Sequence, residues 1–129
     1  MSDLQDIDEL LRLNQRLLDC IAGGDWATYE ELCDPSLTAF EPESAGQLVE
    51  GLGFHRFYFN VGTAKGEHHT TMCSPRVRIL GDVALVTYVR LNQRLAADRS
   101  PTTQAFAETR VWQRRDGTWK HVHFHRSSP

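Results

Sequence analysis

The sequence predicts an α+β domain in which a long N-terminal helix packs in a strongly curved antiparallel sheet. Apolar residues recur at helical spacing early in the chain, and the second half is enriched in threonine, valine and aromatic residues. Turn signals divide that half into strands joined by hairpins. Two predicted strands, residues 83–94 and 102–114, far exceed the usual length of about five or six residues. Strands of this length curl, so we expect a cone that is hollow at one end.

Two helices are predicted at the N-terminus. Residues 4–21 have apolar side chains three and four positions apart, and the pair Gly23–Gly24 ends this helix. Asp25 is a good N-cap for a second, short helix, which ends at Asp34–Pro35. The apolar side of the short helix is predicted to carry Trp26, Tyr29, Leu32 and Cys33.

The middle of the chain is predicted to contain a short strand, residues 37–40, which a Glu-Pro-Glu turn closes. Residues 54–60 are dense in aromatic side chains and are predicted to form a short helix, followed by a loop over residues 62–66. Further strands are predicted over residues 68–74, 76–80, 83–94, 102–114 and 118–125. Pro75 marks a bulge or kink, and Asp116–Gly117 is a strong signal for a two-residue hairpin turn.

Three arginines are predicted to share a face with bulky apolar residues, because side chains alternate along a strand. They are Arg90, Arg110 and Arg126. A buried guanidinium keeps its charge and needs a partner, for which Glu108 and Glu41 are the candidates. Three arginines that converge in the hollow with fewer carboxylates would form an anion-binding pocket.

The opposite face of the predicted sheet is also apolar, with Leu85, Val89 and Leu91 on one strand and Ala107 and Val111 on the next. A monomer with one solvated sheet face would not need apolar residues there. We therefore expect a second subunit to cover this face.

The histidines do not predict a metal site. His121, His123 and His125 alternate along one strand and are predicted to share a face, but together they span too great a length to bind one ion. His55 lies in an aromatic cluster and is expected to line the hollow. As a general base it would need a carboxylate or a carbonyl behind it and a substrate in front, and the sequence shows neither.

Composition limits the class of protein. The chain has 129 residues, which suits one domain over residues 1–129, and a formal net charge of −3 argues against nucleic-acid binding. No stretch predicts a membrane span or a secretory signal. The cysteines, Cys20, Cys33 and Cys73, are odd in number and widely spaced, which favours free thiols in a cytoplasmic protein.

Nearly the whole chain, residues 6–128, resembles the association (hub) domain of calcium/calmodulin-dependent protein kinase II. The blocks that carry the resemblance are residues 34–43 (DPSLTAFEPE), 48–51 (LVEG), 54–59 (FHRFYF), 108–117 (ETRVWQRRDG) and 119–127 (WKHVHFHRS). The chain contains no glycine-rich ATP loop and no HRD or DFG motif. The resemblance is therefore to the hub and not to the kinase domain.

The resemblance implies the cone-shaped fold of the nuclear transport factor 2-like superfamily. It implies a homo-oligomer of about twelve or more subunits in two stacked rings, which holds kinase domains together. It also implies a cavity with Arg90, Arg110 and Arg126, near which His55 and Tyr29 lie. This cavity would bind a small carboxylate or a peptide segment of the kinase.

Three functions remain in competition at this point. The first is a ring-forming scaffold without catalysis, and the second, compatible with it, is a carboxylate-binding pocket. The third is an enzyme of the isomerase or cyclase type, which this fold also hosts. The sequence favours the scaffold, with no cofactor and no metal.

Overall fold

A computed structural model describes residues 3–62 and 66–128. The predicted loop at residues 62–66 thus lies partly outside the described residues. The helices are α1 (Asp3–Gly23), α2 (Trp26–Leu32) and α3 (Gly53–Val61), with a 3-10 turn at Pro42–Ser44. The strands are β1 (Cys33–Phe40), β2 (Val49–Glu50), β3 (His68–Leu80), β4 (Val83–Leu95), β5 (Pro101–Arg115) and β6 (Thr118–Ser127). The predicted α+β class is confirmed.

The described strands form a single sheet in the order β2-β1-β6-β5-β4-β3. Strands β3 to β6 pair antiparallel with their sequence neighbours, as predicted. Strand β1, however, lies parallel to β6, so the sheet that the sequence predicted as antiparallel contains one parallel pair among the described strands. The chain enters β1 directly from α2 and returns to its side only with the last strand, and no hairpin constrains their relative direction.

Helix α1 packs its apolar side on the inner face of the sheet, where Leu10, Leu17 and Leu18 are fully buried. Asn14 lies on the same buried side of the helix. Its amide oxygen accepts a hydrogen bond from the Trp112 indole at 3.0 Å. The apolar side of α1 and the inward-facing side chains of β4 and β5 therefore pack together in one core.

Strand β1 begins earlier than predicted. Cys33 has extended backbone angles and pairs with His121, so it belongs to β1 and not to the apolar side of α2. Pro35 is tolerated inside this strand because the pairing of β1 with β6 is interrupted between Cys33 and Thr38.

Two predicted turns have the expected geometry. The pairing of β3 with β4 shifts between Cys73 and Arg76, and Ser74 has a φ of 52°, so the bulge lies where Pro75 indicated. Asp116 and Gly117 both have positive φ, as a two-residue hairpin of the favoured type requires.

The histidines of β6 do not share one face, so that prediction was wrong. The register between β5 and β6 shifts at one point, because Val111 pairs with His123 and the next residue, Trp112, pairs with His121. Val122 is therefore an extra residue without a partner on β5. This bulge reverses the alternation, and His121 is completely buried on the inner face beside Phe124.

The outer face of the sheet is apolar and incompletely covered, as predicted. We use this name for the residues whose side chains point away from α1 on the two central long strands. They are Leu85, Thr87, Val89 and Leu91 on β4 and Ala105, Ala107, Thr109 and Val111 on β5. Most are half-buried, and Val89 is 38% exposed.

Candidate functional site

A pocket of about 280 Å³ opens between α3, the segment after β1 and the inner face of the sheet. Its walls combine aromatic and charged side chains. The lining residues are Ile21, Tyr29, Glu41, Glu43, His55, Tyr58, Phe59, Val61, Gly62, Arg90, Arg110, Phe124 and Arg126. Six of the seven predicted site residues thus lie around one pocket, and the seventh, Glu108, lies behind two of the arginines.

Glu108 is the centre of a buried network of hydrogen bonds. Its carboxylate accepts from the Tyr88 hydroxyl at 2.5 Å, from Arg90 at 3.3 Å and from Arg110 at 3.2 Å. Burial raises the pKa of a carboxyl group, but Arg110 and Arg90 outweigh it and the pKa of Glu108 is lowered. The carboxylate is therefore ionised and offsets charge that the arginines bring into the core.

Arg110 has its donors engaged within the protein. Its Nε donates to the Tyr88 hydroxyl at 2.9 Å, its Nη2 donates to Glu108, and the guanidinium stacks 4.3 Å over the Phe124 ring. Burial disfavours its charge, but Glu108 more than compensates, so the pKa of Arg110 is raised. Arg110 therefore shapes the pocket wall and keeps few donors for a ligand.

Arg90 and Arg126 retain free donors. Within residues 3–62 and 66–128, the buried Nε atoms of both arginines have no hydrogen-bond partner. Burial lowers the pKa of Arg90, and its contact with Glu108 offsets this only in part. The Arg126 guanidinium lies 4.9 Å from the centre of the Phe106 ring. An unpaired buried donor is costly, so these two side chains are suited to an added acceptor.

Glu41 pairs with His55 and not with an arginine, which corrects the predicted pairing. The His55 Nε2 lies 3.0 Å from the Glu41 carboxylate, and both side chains are buried. Glu41 is the N-cap residue of the 3-10 turn, and its side chain reaches His55 on α3. The other ring nitrogen of His55, Nδ1, is buried without a partner among the described residues. His55 thus has the supporting carboxylate that the sequence did not reveal.

Glu43 was missed in the sequence analysis, which placed it in a turn. Its carboxylate forms an ion pair with Arg126 at the edge of the pocket. Its position two residues after Glu41, across a proline, was the available signal.

His121 was also missed as part of this network, because the bulge at Val122 moved it to the inner face. Its Nε2 lies 3.5 Å from an Arg110 nitrogen, and its Nδ1 lies 3.4 Å from the Cys33 thiol. Arginine can only donate, so we assign Nε2 as the acceptor and the proton to Nδ1. Burial, followed by Arg110, holds the pKa of His121 well below its usual value, so the ring is neutral.

No cluster of three or more metal-ligating side chains occurs in the part of the chain that the structure describes. Its three cysteines are free thiols, and burial raises the pKa of Cys20 and Cys33 to about 12. Across the described ranges, no helix is both long and apolar enough to cross a membrane.

The fold is that of nuclear transport factor 2-like domains. A protein of that superfamily from Salmonella enterica aligns with a TM-score of 0.80 over 99% of this chain and 94% of its own. The two are 17% identical, so this likeness shows the fold alone.

The particular family follows from closer matches. The sequence model of the calcium/calmodulin-dependent protein kinase II association domain matches residues 6–129, and the chain belongs to that family. The hub homology domain of this kinase from Chlamydomonas reinhardtii is 48% identical, with a TM-score of 0.91 over 96% of this chain and 98% of that one. The delta subunit of the type II kinase from Oryctolagus cuniculus is 47% identical over 122 residues. That match covers 92% of this chain and 23% of the relative, so the chain spans about a quarter of its length.

Proposed function

We propose that this chain is an oligomerisation hub. Membership of the association-domain family supports self-association as its role. The single structural observation that carries the proposal is the outer face of the sheet, on which apolar side chains of two long strands stay half-exposed. Contiguous exposed apolar surface of this kind is typical of protein–protein contacts. A second copy of the chain would remove that surface from water.

We further propose that the copies form two stacked rings of about twelve or more subunits. Contacts that join different surfaces close into a ring when the rotation between copies completes a full turn, and twofold contacts between two rings give dihedral symmetry. Such an assembly would gather attached or bound kinase domains, or their peptide segments, at high local concentration. A cytoplasmic location remains a prediction from the cysteines.

Electron microscopy of the purified chain tests the ring geometry. We expect class averages that show a closed ring in end view and two layers in side view. Open filaments, or dimers alone, would contradict this arrangement.

We propose that the pocket binds a small carboxylate or an acidic peptide. The unpaired Nε donors of Arg90 and Arg126 support this proposal, because a carboxylate offers the acceptors that they lack. Tyr29 contributes an aromatic wall beside His55, with ring centres 5.9 Å apart. Glu108 acts indirectly by holding Arg90 and Arg110.

Calorimetric titration with propionate or an acidic peptide tests this role. Replacing Arg126 by alanine should weaken binding by about 1.5–3 kcal/mol, or roughly tenfold or more in Kd, because a charged hydrogen bond is lost. Arg12→Ala is the matched control, since Arg12 lies exposed on α1. Equal affinity of the Arg126→Ala variant and the wild type would remove Arg126 from the site.

The proposed function includes no catalytic step. The Glu41–His55 pair resembles part of a general-base arrangement, but arginines in the pocket wall favour binding of anions over turnover. A turnover of ketosteroid or lactone substrates that His55→Ala abolishes would favour the enzyme alternative.

A further inference from the structure

The charges around the pocket are balanced, although its arginines suggest a cationic site. Three guanidinium groups, those of Arg90, Arg110 and Arg126, face three carboxylates. Those carboxylates belong to Glu41, Glu43 and Glu108. Guanidinium groups and carboxylates are therefore equal in number, so an incoming anion meets no excess of arginine charge unless one carboxylate moves away.

The three carboxylates differ in how easily their side chains can leave the pocket for water. Glu108 is fully buried and holds two arginines and the Tyr88 hydroxyl, while Glu41 is 5% exposed and is bound to His55. Removing either would leave buried charges or donors unpaired. Glu43 is 39% exposed, and the structure gives it Arg126 as its ion-pair partner.

Glu43 also occupies the place that a ligand would take. Both of its carboxylate oxygens contact Nη2 of Arg126, whose side chain is 14% exposed. Glu43 lies on the short 3-10 turn Pro42–Ser44 at the edge of the pocket, so its side chain can turn into water without unfolding a long element.

We propose that Glu43 is a built-in competitor for the carboxylate site. Its side chain occupies Arg126 when the pocket is empty, and a ligand carboxylate binds by exchanging with it. This inference rests on the proposed carboxylate binding. The exchange keeps the charge balance of the pocket unchanged, because one anion leaves as another enters. It also weakens the observed affinity, since only molecules with Glu43 turned away can bind the ligand.

The exchange explains why free donors remain beside an occupied arginine. Glu43 contacts Arg126 through Nη2, whereas the Nε of Arg126 and the Nε of Arg90 stay unpaired. A ligand that enters deeper than Glu43 can reach donors that Glu43 leaves free.

The test is calorimetric titration of the assembled chain with propionate, comparing the wild type, Glu43→Gln and Glu50→Gln. Glutamine keeps the size of the side chain and removes its charge. Glu50 lies exposed on β2, so its variant controls for the change in net charge. We expect Glu43→Gln to bind roughly two- to fivefold more tightly than the wild type, which is the range for one partly exposed ion pair. Glu50→Gln should match the wild type.

A second comparison uses Arg126→Ala. If Glu43 acts through Arg126, the gain from Glu43→Gln should vanish when Arg126 is alanine. If the wild type binds propionate and Glu43→Gln binds it with equal or lower affinity, the inference is overturned while the carboxylate site stands. An equal gain in Glu50→Gln would also overturn it, because the effect would then be one of net charge. Absence of binding in both the wild type and Glu43→Gln would instead overturn the proposed carboxylate binding itself.

Discussion

Replacing Glu108 by alanine is expected to lower the free energy of unfolding by about 3–5 kcal/mol. The substitution leaves Arg90 and Arg110 in the core without the carboxylate that both contact, and it removes the acceptor of the Tyr88 hydroxyl. An uncompensated buried guanidinium cannot become neutral at ordinary pH, so the folded state bears the full cost of its desolvation.

Urea denaturation at a fixed subunit concentration measures this effect, since assembly and folding are linked. Glu50→Ala is the matched control, because Glu50 is exposed on β2 and should change the unfolding free energy by less than about 0.5 kcal/mol. A Glu108→Ala variant as stable as this control would show that the buried arginines do not depend on Glu108.

Replacing Val89 by glutamate is expected to abolish assembly while the subunit stays folded. Val89 lies near the centre of the outer face and is 38% exposed, so a monomer can accept a charge there. In the proposed assembly the same position is buried against a second copy, where an unpaired carboxylate carries a large desolvation cost. Light scattering should give a much smaller mass than for the wild type, with unchanged circular dichroism.

Leu4→Glu provides the control for that experiment. Leu4 is 79% exposed on α1, away from the sheet, so the same change of charge and polarity should leave the mass of the assembly unaltered. A Val89→Glu variant that retains the full assembled mass would exclude the outer face as a contact surface.

The alternation of β4 and β5 was predictable because both strands are regular along their shared ladder. The thirteen pairs between them contain no register shift, so a period of two correctly placed Tyr88 with Arg90 on one face of β4 and Phe106 with Glu108 on one face of β5. The same rule failed on β6, where the extra residue Val122 reverses the faces. A bulge depends on how two strands meet and leaves little trace in the sequence of one of them.

The partners of the pocket side chains were less predictable than their locations. Glu41 and Glu43 follow β1 in a turn, and no periodicity indicates where a side chain in a turn points. Their pairing with His55 and Arg126 depends on how α3 and β6 pack beside that turn. Sequence therefore located most of the charged groups of the site, while the balance of charge among them needed the structure.

The measurement that tests the proposed role most directly is the mass of the purified wild-type chain by light scattering at low micromolar concentration and moderate ionic strength. We expect a mass many times the 14.7 kDa of one subunit, unchanged on further dilution. A folded species of 14.7 kDa, with native circular dichroism and a cooperative unfolding transition, would contradict the proposal that this chain is an oligomerisation hub.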